Sequence, residues 1–290
     1  MFIVGAQREA ILRLFMRYGV YRTSHMDDYQ ISLLGSRFHG SNDTYLLHID
    51  SKQFVMRVVD PLSPDLDRSV EQYNHQLMSD AGLTWPFLLF DVSNGVMISE
   101  FFNGRVLEDV DKESPVLLDK VMECMSQLHH SVCLFRQGRP PLQAYKSMAD
   151  PSSTLEYLAV LQGDRLVRAL AGMERSYQPC HQDTILKNFV LVRDQVFLID
   201  WEYAAMGDPY YDFADFAFQN DFIDNDDFID YCAHFLGDIN QFNRDKFELY
   251  TQLSMLTWGL WYCRKGHRVK GESILTHVVE ANMPWRGMSV

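Results

Sequence analysis

The sequence lacks the features that would indicate a secreted or membrane protein. Its five cysteines lie far apart and form no CxxC pair, which argues against a disulfide framework and predicts reduced thiols. No run approaches the roughly 18–20 consecutive apolar residues of a membrane-spanning helix. The first segment, "MFIVGAQREAILRLFMRYGV", is interrupted by charged residues, which indicates an amphipathic helix and not a signal peptide. We therefore expect a soluble, cytoplasmic protein.

Positive charge is scarce relative to negative charge. The chain has 26 Lys and Arg residues against 39 Asp and Glu residues, a formal net charge of −13. This balance argues against general binding to nucleic acid or to anionic membranes, whereas it would attract a cationic ligand. Hydrophobic residues make up 47% of the 290 residues, enough for a globular core, and the length suits two lobes of about 100–150 residues each.

The first hundred residues contain two predicted strand pairs and one predicted helix. The apolar runs "DTYLLHID" and "KQFVMRVVD" meet at Asp50-Ser51-Lys52, which predicts a hairpin. A second pair, in "PFLLFDVSNGVMISEFF", is predicted around Ser93-Asn94-Gly95. Between the two pairs, apolar residues at helical spacing predict a helix that starts at Ser63-Pro64 and stops at Gly82.

Arg57 lies within the second of these predicted strands. Alternation of side chains places it on one strand face together with Val55 and Val59. An arginine in that position is either exposed at the edge of a sheet or buried beside an anionic partner. The strand pattern alone leaves both interpretations open.

The chain becomes mainly helical after Asn103-Gly104. One hairpin, "NFVLVRDQVFLID", lies inside the helical part and is predicted to turn at Arg193-Asp194. This order predicts an α+β fold with two lobes, a small β-rich lobe over residues 1–102 and a larger, mostly helical lobe over residues 103–290. Ligands usually bind in the cleft between two lobes.

The segment "HQDTILKN" places three polar residues just before this hairpin. Since a short hairpin brings its two ends together, we expect Asn188 to lie near Asp200, which ends the second strand. Amide and carboxylate oxygens suit Mg²⁺, and Asp183 could accept a hydrogen bond from an incoming hydroxyl, an arrangement that serves phosphoryl transfer. The alternative is that these residues simply flank a turn, where Asp and Asn are common.

Two segments, "HQDTILKN" and "LIDWEYAAMGDPYYDFADF", resemble the catalytic loop and the metal-binding segment of the aminoglycoside phosphotransferase and choline kinase superfamily. The likeness is greatest to bacterial choline kinases and weaker to thiamine kinase. It extends to "GSNDTYLL", "FVMRV", "DRSVEQYNHQLMSDAGL" and "LTWGLWYC". The resemblance implies a protein-kinase-like fold, with a nucleotide-binding N-terminal lobe, and it implies ATP and Mg²⁺ as cofactors.

The resemblance also implies roles for individual residues of the catalytic segments. Asp183 would be the catalytic base, and Asn188 and Asp200 would be Mg²⁺ ligands. His181 would brace the catalytic loop, and Asp212 would accept hydrogen bonds from the loop backbone.

On the nucleotide side, Arg57 would contact the phosphates and pair with Glu71. The alternative for Glu71 is an ordinary exposed glutamate on a helix. Backbone N–H groups around Gly40, Ser41 and Asn42 would cradle the phosphates, although this loop has fewer glycines than the family usually shows.

Trp258 and Trp261 are three residues apart and are expected to share one helix face. From spacing alone they could be core residues, but the resemblance to choline kinases favours an aromatic site for a quaternary ammonium group. Tyr203 could close the same pocket. Glu202 could reach either a second Mg²⁺ or the cationic head of the substrate.

The leading interpretation is a kinase that phosphorylates a small cationic alcohol, most favourably choline. An aminoglycoside kinase or a thiamine kinase is the alternative within the same reaction class. A catalytically silent kinase-like module that only binds a ligand is the alternative from another class, and the glycine-poor phosphate loop is the feature that favours it.

Overall fold

The computed structural model describes residues 5–22, 29–35, 42–59, 66–137, 145–237 and 241–280. The chain forms two compact units. The first comprises Met1–Val106 with Val190–Glu202, and the second comprises Leu107–Phe189 with Tyr203–Val290. Most of the hairpin that we expected within the helical half thus groups with the first unit. Its packing explains this, because the Leu198 amide donates a hydrogen bond to the Leu83 carbonyl at 3.2 Å.

Strands are concentrated in the first part of the chain and helices in the second, as the sequence predicted. The strands are β1 (Tyr29–Gly35), β2 (Asn42–Ile49), β3 (Lys52–Val59), β4 (Leu89–Asp91), β5 (Val96–Glu100), β6 (Arg105–Val106), β7 (Gln178–Cys180), β8 (Phe189–Val192), β9 (Gln195–Leu198) and β10 (Ala205–Gly207). The helices are α1 (Ala6–Arg17), α2 (Arg68–Asp80), α3 (Pro115–His129), α4 (Thr154–Ala171), α5 (Pro209–Gln219), α6 (Asp226–Ala233), α7 (Arg244–Arg264) and α8 (Arg268–Glu280).

The first unit is built on a five-stranded antiparallel sheet in the order β1-β2-β3-β5-β4. Strands β2 and β3 pair outward from Ile49 and Lys52, which confirms the first predicted hairpin, and β4 and β5 confirm the second. Helix α1 contributes three buried apolar side chains, Ile11, Leu12 and Phe15, to the core formed with this sheet. Because β3 is the central strand, Arg57 does not lie at a sheet edge.

Helix α2 begins later than the sequence predicted. Asp67 has an extended backbone and caps the helix, since its side chain accepts hydrogen bonds from the amides of Ser69 and Val70. The predicted start at Ser63-Pro64 is therefore wrong, although those two residues lie outside the described ranges. The predicted stop is confirmed, because the helix ends at Asp80 and Gly82 follows with a φ of 75°.

The second unit is centred on helix α7, which packs against α4, α5 and α8. Buried residues occur all around α7, as expected for a helix enclosed by other helices. Two glycines allow α7 and α8 to approach closely, because a Cβ on Gly271 would lie 2.6 Å from the Gly259 carbonyl oxygen and 2.5 Å from the Cys263 sulfur. This contact fixes the position of the helix that carries both predicted substrate tryptophans.

The hairpin of β8 and β9 turns at Arg193-Asp194, as predicted, and Arg193 adopts a φ of 57° there. All five cysteines are free thiols, and four of them are buried. Within the described ranges, no helix combines the length and the apolar character needed to cross a bilayer.

Candidate active-site residues

Arg57 is a buried cation within the first unit. Its Nη1 lies 2.5 Å from Glu71 Oε1 on α2, and the two side chains are only 6% and 1% exposed. The ion pair that the sequence predicted is therefore present, and the interpretation of Arg57 and Glu71 as exposed surface residues is wrong. Burial alone would lower the pKa of Arg57, but the carboxylates of Glu71 and Asp200 outweigh that effect and raise it.

A second buried arginine, which the sequence analysis did not identify, extends this pair into a longer series. Arg68 Nη1 lies 2.6 Å from Glu71 Oε2 and 3.1 Å from Glu202 Oε2. Arg57 Nη1 lies 3.0 Å from Asp200 Oδ1. Glu71 thus offers one oxygen to each arginine, and each arginine holds one acidic residue of the "DWE" segment. We call this series, Asp200–Arg57–Glu71–Arg68–Glu202, the arginine–carboxylate chain.

The spacing of Arg68 could have revealed it. Residues three apart on a helix face the same side, so Arg68 and Glu71 were candidates for a pair as soon as a helix was predicted there. Because a pair three residues apart is common on exposed helix surfaces, only the burial seen in the structure distinguishes this one.

The charges of the arginine–carboxylate chain suit a hard divalent cation. Three carboxylates face two guanidinium groups, which leaves one negative charge in excess. Burial, followed by the nearby Glu202 carboxylate, raises the pKa of Asp200 above its ordinary value. The ionised form of the Asp200 carboxylate is thus disfavoured, and a nearby cation would stabilise it. Mg²⁺ prefers oxygen ligands of this kind.

The predicted phosphate loop lies only partly within the described ranges. Gly40 and Ser41 lie outside the described residues. Asn42 opens β2 and is buried, and its amide nitrogen lies 3.4 Å from Glu202 Oε2 and 3.5 Å from Asp200 Oδ2. Its nucleotide role stays a prediction.

Glu202 has an internal partner in the first unit. Its side chain is only 2% exposed and is held by Arg68. The two roles that the sequence suggested, a second Mg²⁺ or the substrate head group, stay predictions, and the ion pair with Arg68 is the contact that the structure adds.

In the second unit, Asp212 on α5 holds the predicted catalytic loop through its backbone. Its two carboxylate oxygens accept hydrogen bonds from the amides of His181 and Gln182, both at 2.8 Å. His129 Nε2 lies 2.9 Å from the same carboxylate. This is the bracing contact that we expected from Asp212. The loop is under local constraint, since Gln182 takes a φ of 67°, a value that few residues other than glycine adopt.

The predicted base, Asp183, is bound within this loop. Gln219 Nε2 donates a hydrogen bond to Asp183 Oδ1 at 3.0 Å, and Asn188 Nδ2 donates to the Asp183 carbonyl at 2.9 Å. Because the amide nitrogen of Asn188 is engaged inside the loop, its amide orientation is fixed, and its oxygen is the atom that suits a metal ion. The metal role of Asn188 stays a prediction.

Asp215 is a buried carboxylate that the sequence analysis did not single out. It accepts hydrogen bonds from five groups: the Thr184 amide (2.8 Å), Thr184 Oγ1 (3.0 Å), Gln219 Nε2 (2.9 Å), Ser254 Oγ (2.6 Å) and Trp258 Nε1 (2.7 Å). Burial raises its pKa, and these hydrogen bonds oppose the rise. The sequence signal was an aspartate one helical turn after Asp212, within an otherwise apolar run.

The three predicted substrate aromatics lie together in the second unit. The rings of Trp258 and Trp261 are 5.6 Å apart and edge-on, and Tyr203 meets Trp258 edge-on at 6.0 Å. Both tryptophans are buried, at 8% and 6% exposure. They share a helix face, as predicted, and their role in substrate binding stays a prediction.

Comparison with known proteins places the chain in a family. Residues 36–250 match the model of a protein family that is described as "Phosphotransferase enzyme family". The chain belongs to this family. Protein LicA of Haemophilus influenzae is 27% identical over 205 residues, which cover 67% of this chain and 59% of that protein. The chain therefore matches less than two thirds of that relative's length.

Two solved structures of other proteins have a fold similar to that of this chain. The choline kinase LicA from Streptococcus pneumoniae superposes with a TM-score of 0.77 at 22% identity, covering 95% of this chain and 98% of that one. The aminoglycoside phosphotransferase APH(4)-Ia gives a TM-score of 0.65 at 15% identity, covering 95% and 99%. These similarities confirm the kinase-like fold of this phosphotransferase, with a small β-rich part and a larger helical part.

Proposed function

We propose that this phosphotransferase uses ATP and Mg²⁺ to phosphorylate the hydroxyl of a small amino alcohol, most favourably choline. The observation that carries the proposal is that the Asp183 loop and the indole of Trp258 hydrogen-bond to the same buried carboxylate, Asp215. A candidate base and a candidate cation-binding ring thus belong to one polar network. Family membership and the similarity to LicA support the same activity.

Each unit supplies groups suited to part of this reaction. In the second unit, Asp183 would orient the substrate hydroxyl and accept its proton, while Asp212 holds the loop that carries it. Tyr203, Trp258 and Trp261 would face the quaternary ammonium group, and cation–π attraction would contribute about 0.5–2 kcal/mol per ring.

In the first unit, Arg57 would offset charge on the nucleotide phosphates, with Glu71 fixing its position. The backbone near Gly40, Ser41 and Asn42 would receive the phosphates. Asn188 and Asp200 are the Mg²⁺ ligands in this proposal, as the sequence motif implies. When bound, Mg²⁺ supplies positive charge that stabilises the phosphates during transfer. A cytoplasmic location, where ATP is available and the five free thiols stay reduced, belongs to the same proposal.

The substrate is tested by measuring ADP release from the purified protein with MgATP and choline, ethanolamine, thiamine or kanamycin. Turnover with choline alone supports both the catalytic loop and the aromatic site. Turnover with kanamycin or thiamine instead retains the catalytic loop and rejects the aromatic site for choline. Mg²⁺-dependent ATP binding without turnover on any of the four alcohols contradicts the proposal and favours a silent binding module.

The base is tested with Asp183→Asn. The variant should fold normally, because an asparagine oxygen can still accept the hydrogen bond from Gln219. We expect kcat to fall by about two to four decades, the usual size of a general-base contribution. Asp224→Asn, which removes an exposed aspartate of the same unit, serves as the matched control and should retain wild-type turnover. Near-wild-type kcat in Asp183→Asn would remove Asp183 from the mechanism.

A further inference from the structure

Gln219 connects the proposed base to a buried anchor. It is the last residue of α5, and its amide nitrogen lies 3.0 Å from Asp183 Oδ1 and 2.9 Å from Asp215 Oδ2. A primary amide nitrogen carries two hydrogens, so one can be donated to each carboxylate. Because both partners are acceptors, the amide can satisfy them only with its nitrogen turned toward them. The orientation of the Gln219 side chain is thereby determined.

Asp215 is suited to act as the fixed end of this connection. It is fully buried and is held by donors from three places in the chain: the catalytic loop at Thr184, helix α7 at Ser254 and Trp258, and Gln219 itself. A carboxylate with so many short hydrogen bonds has little freedom to move. Gln219 therefore holds the carboxylate of Asp183 in a fixed position relative to Asp215.

We propose that Gln219 is a positioning residue, which orients the Asp183 carboxylate from its anchor on Asp215 and so couples the base to the indole of Trp258. This inference rests on the proposed function, because it assigns Asp183 the role of base. It adds two residues, Gln219 and Asp215, that neither the sequence motif nor the family resemblance led us to expect.

The expected consequence is a loss in kcat with little change in KM. The hydrogen bonds of Gln219 go to the two carboxylates, and no role in binding substrate is assigned to its side chain, so its loss should leave the affinities for choline and ATP nearly intact. A carboxylate released from its fixed orientation would lose part of the advantage that correct geometry gives to proton transfer. We expect about a 10- to 100-fold decrease in kcat, with each KM within about threefold of wild type.

The test compares Gln219→Leu, Gln219→Glu and the control Gln137→Leu. Leucine is similar in size to glutamine but has no N–H donor. Glutamate keeps the length of glutamine but replaces the donor with a third carboxylate. Both substitutions should therefore lower kcat. Gln137 donates to the Met206 carbonyl in the same unit and should tolerate leucine. Values of kcat are divided by the fraction of protein that binds MgATP, which separates a catalytic loss from a loss of folded protein.

Three outcomes decide the inference. A kcat loss in both Gln219 variants, with unchanged KM and a wild-type control, supports it. Wild-type kcat in both variants overturns the positioning role while the proposed function survives. A wild-type protein that turns over none of the four alcohols overturns the proposed function and this inference together.

The coupling to Trp258 is tested by a double-mutant cycle with Trp258→Phe, which keeps a ring but removes the indole donor to Asp215. If the two residues act through Asp215, the kcat loss of the double variant should fall short of the product of the single losses by about threefold or more. Losses that simply multiply would overturn the coupling and leave only the contact between Gln219 and Asp183.

Discussion

His75 on α2 is a buried histidine of the first unit whose protonation would disturb its surroundings. Its Nε2 lies 2.8 Å from the Trp85 carbonyl, which requires that this nitrogen carry the hydrogen, and its ring meets Phe87 edge-on at 5.3 Å. Burial is the main cause that lowers its pKa, from an ordinary value near 6.5 to about 4, and Arg57 contributes in the same direction. The folded protein therefore favours the neutral ring.

The sign of the pH effect on stability follows. Because the folded pKa lies below the unfolded value, the stabilisation from neutral His75 is fully present above pH 6.5 and is lost as the pH falls toward 4. We expect this histidine to contribute about 3 kcal/mol of acid destabilisation over that window. His75→Gln should flatten the free energy of unfolding against pH between 6.5 and 4, measured by urea unfolding. His234→Gln, at an exposed position, should leave the slope unchanged, and an unaltered slope in His75→Gln would contradict the assignment.

At the scale of secondary-structure elements, the close contact between α7 and α8 determines the position of the helix that carries Trp258 and Trp261. A Cβ on Gly271 would meet backbone of α7, since the Gly259 carbonyl oxygen is 2.6 Å away and the Cys263 amide nitrogen is 2.8 Å away. Backbone atoms cannot yield as a flexible side chain can, so Gly271→Ala must separate the two helices.

We expect Gly271→Ala to destabilise the protein by about 1–3 kcal/mol, the usual cost of overpacking, and to raise KM for choline more than KM for ATP. Gly172→Ala is the matched control, because its new Cβ would lie an ordinary 3.5 Å from the nearest atom. Thermal unfolding and steady-state kinetics measure both effects. A Gly271→Ala protein as stable as the control would show that the helices are not held by this contact.

The same scale shows what sequence patterns could and could not predict. The hairpins were predicted because their turns are local, and the pair of Arg57 with Glu71 followed from the resemblance together with an unexplained arginine in a strand. Asp215 was missed because Ser254 and Trp258, which bind it, lie 39 and 43 residues further along the chain. The start of α2 was misplaced because both Ser63 and Asp67 are good helix caps, and local propensity did not choose between them.

For the whole molecule, the residues assigned to the nucleotide and those assigned to the alcohol divide largely by unit. Arg57 and Glu71 belong to the first unit, whereas Asp183, Trp258 and Trp261 belong to the second. The arginine–carboxylate chain lies entirely in the first unit, although two of its members, Asp200 and Glu202, come from a segment almost 130 residues beyond Glu71. A sequence divided at residue 102 would separate these partners. The charge network forms because the β8–β9 hairpin and the residues that follow it, up to Glu202, group with the first unit.

In the proposed function, the choice of alcohol would depend on the rings of Tyr203, Trp258 and Trp261. The rings of Trp258 and Trp261 are buried, Tyr203 is partly exposed, and the three meet edge-on. In the proposed site they would offer ring faces to a quaternary ammonium group, whereas aromatic rings pair poorly with N–H donors. Ethanolamine brings three such donors, and each one left unpaired in a buried site costs about 1–3 kcal/mol. We therefore expect choline to be preferred over ethanolamine by roughly one to two decades in kcat/KM, since every 1.4 kcal/mol corresponds to about a factor of ten.

Competition assays with both alcohols measure this preference directly. Trp261→Leu should reduce kcat/KM for choline more than for ethanolamine, because in the proposed site the ring would act on the methylated ammonium group, whereas the catalytic loop would serve both substrates equally. Equal kcat/KM values for the two alcohols in the wild-type protein would reject the aromatic site. If Trp261→Leu lowers kcat/KM by the same factor for both alcohols, the tryptophan supports the fold of α7 and does not contact the substrate. Only a group that contacts the ammonium head can discriminate between the two alcohols.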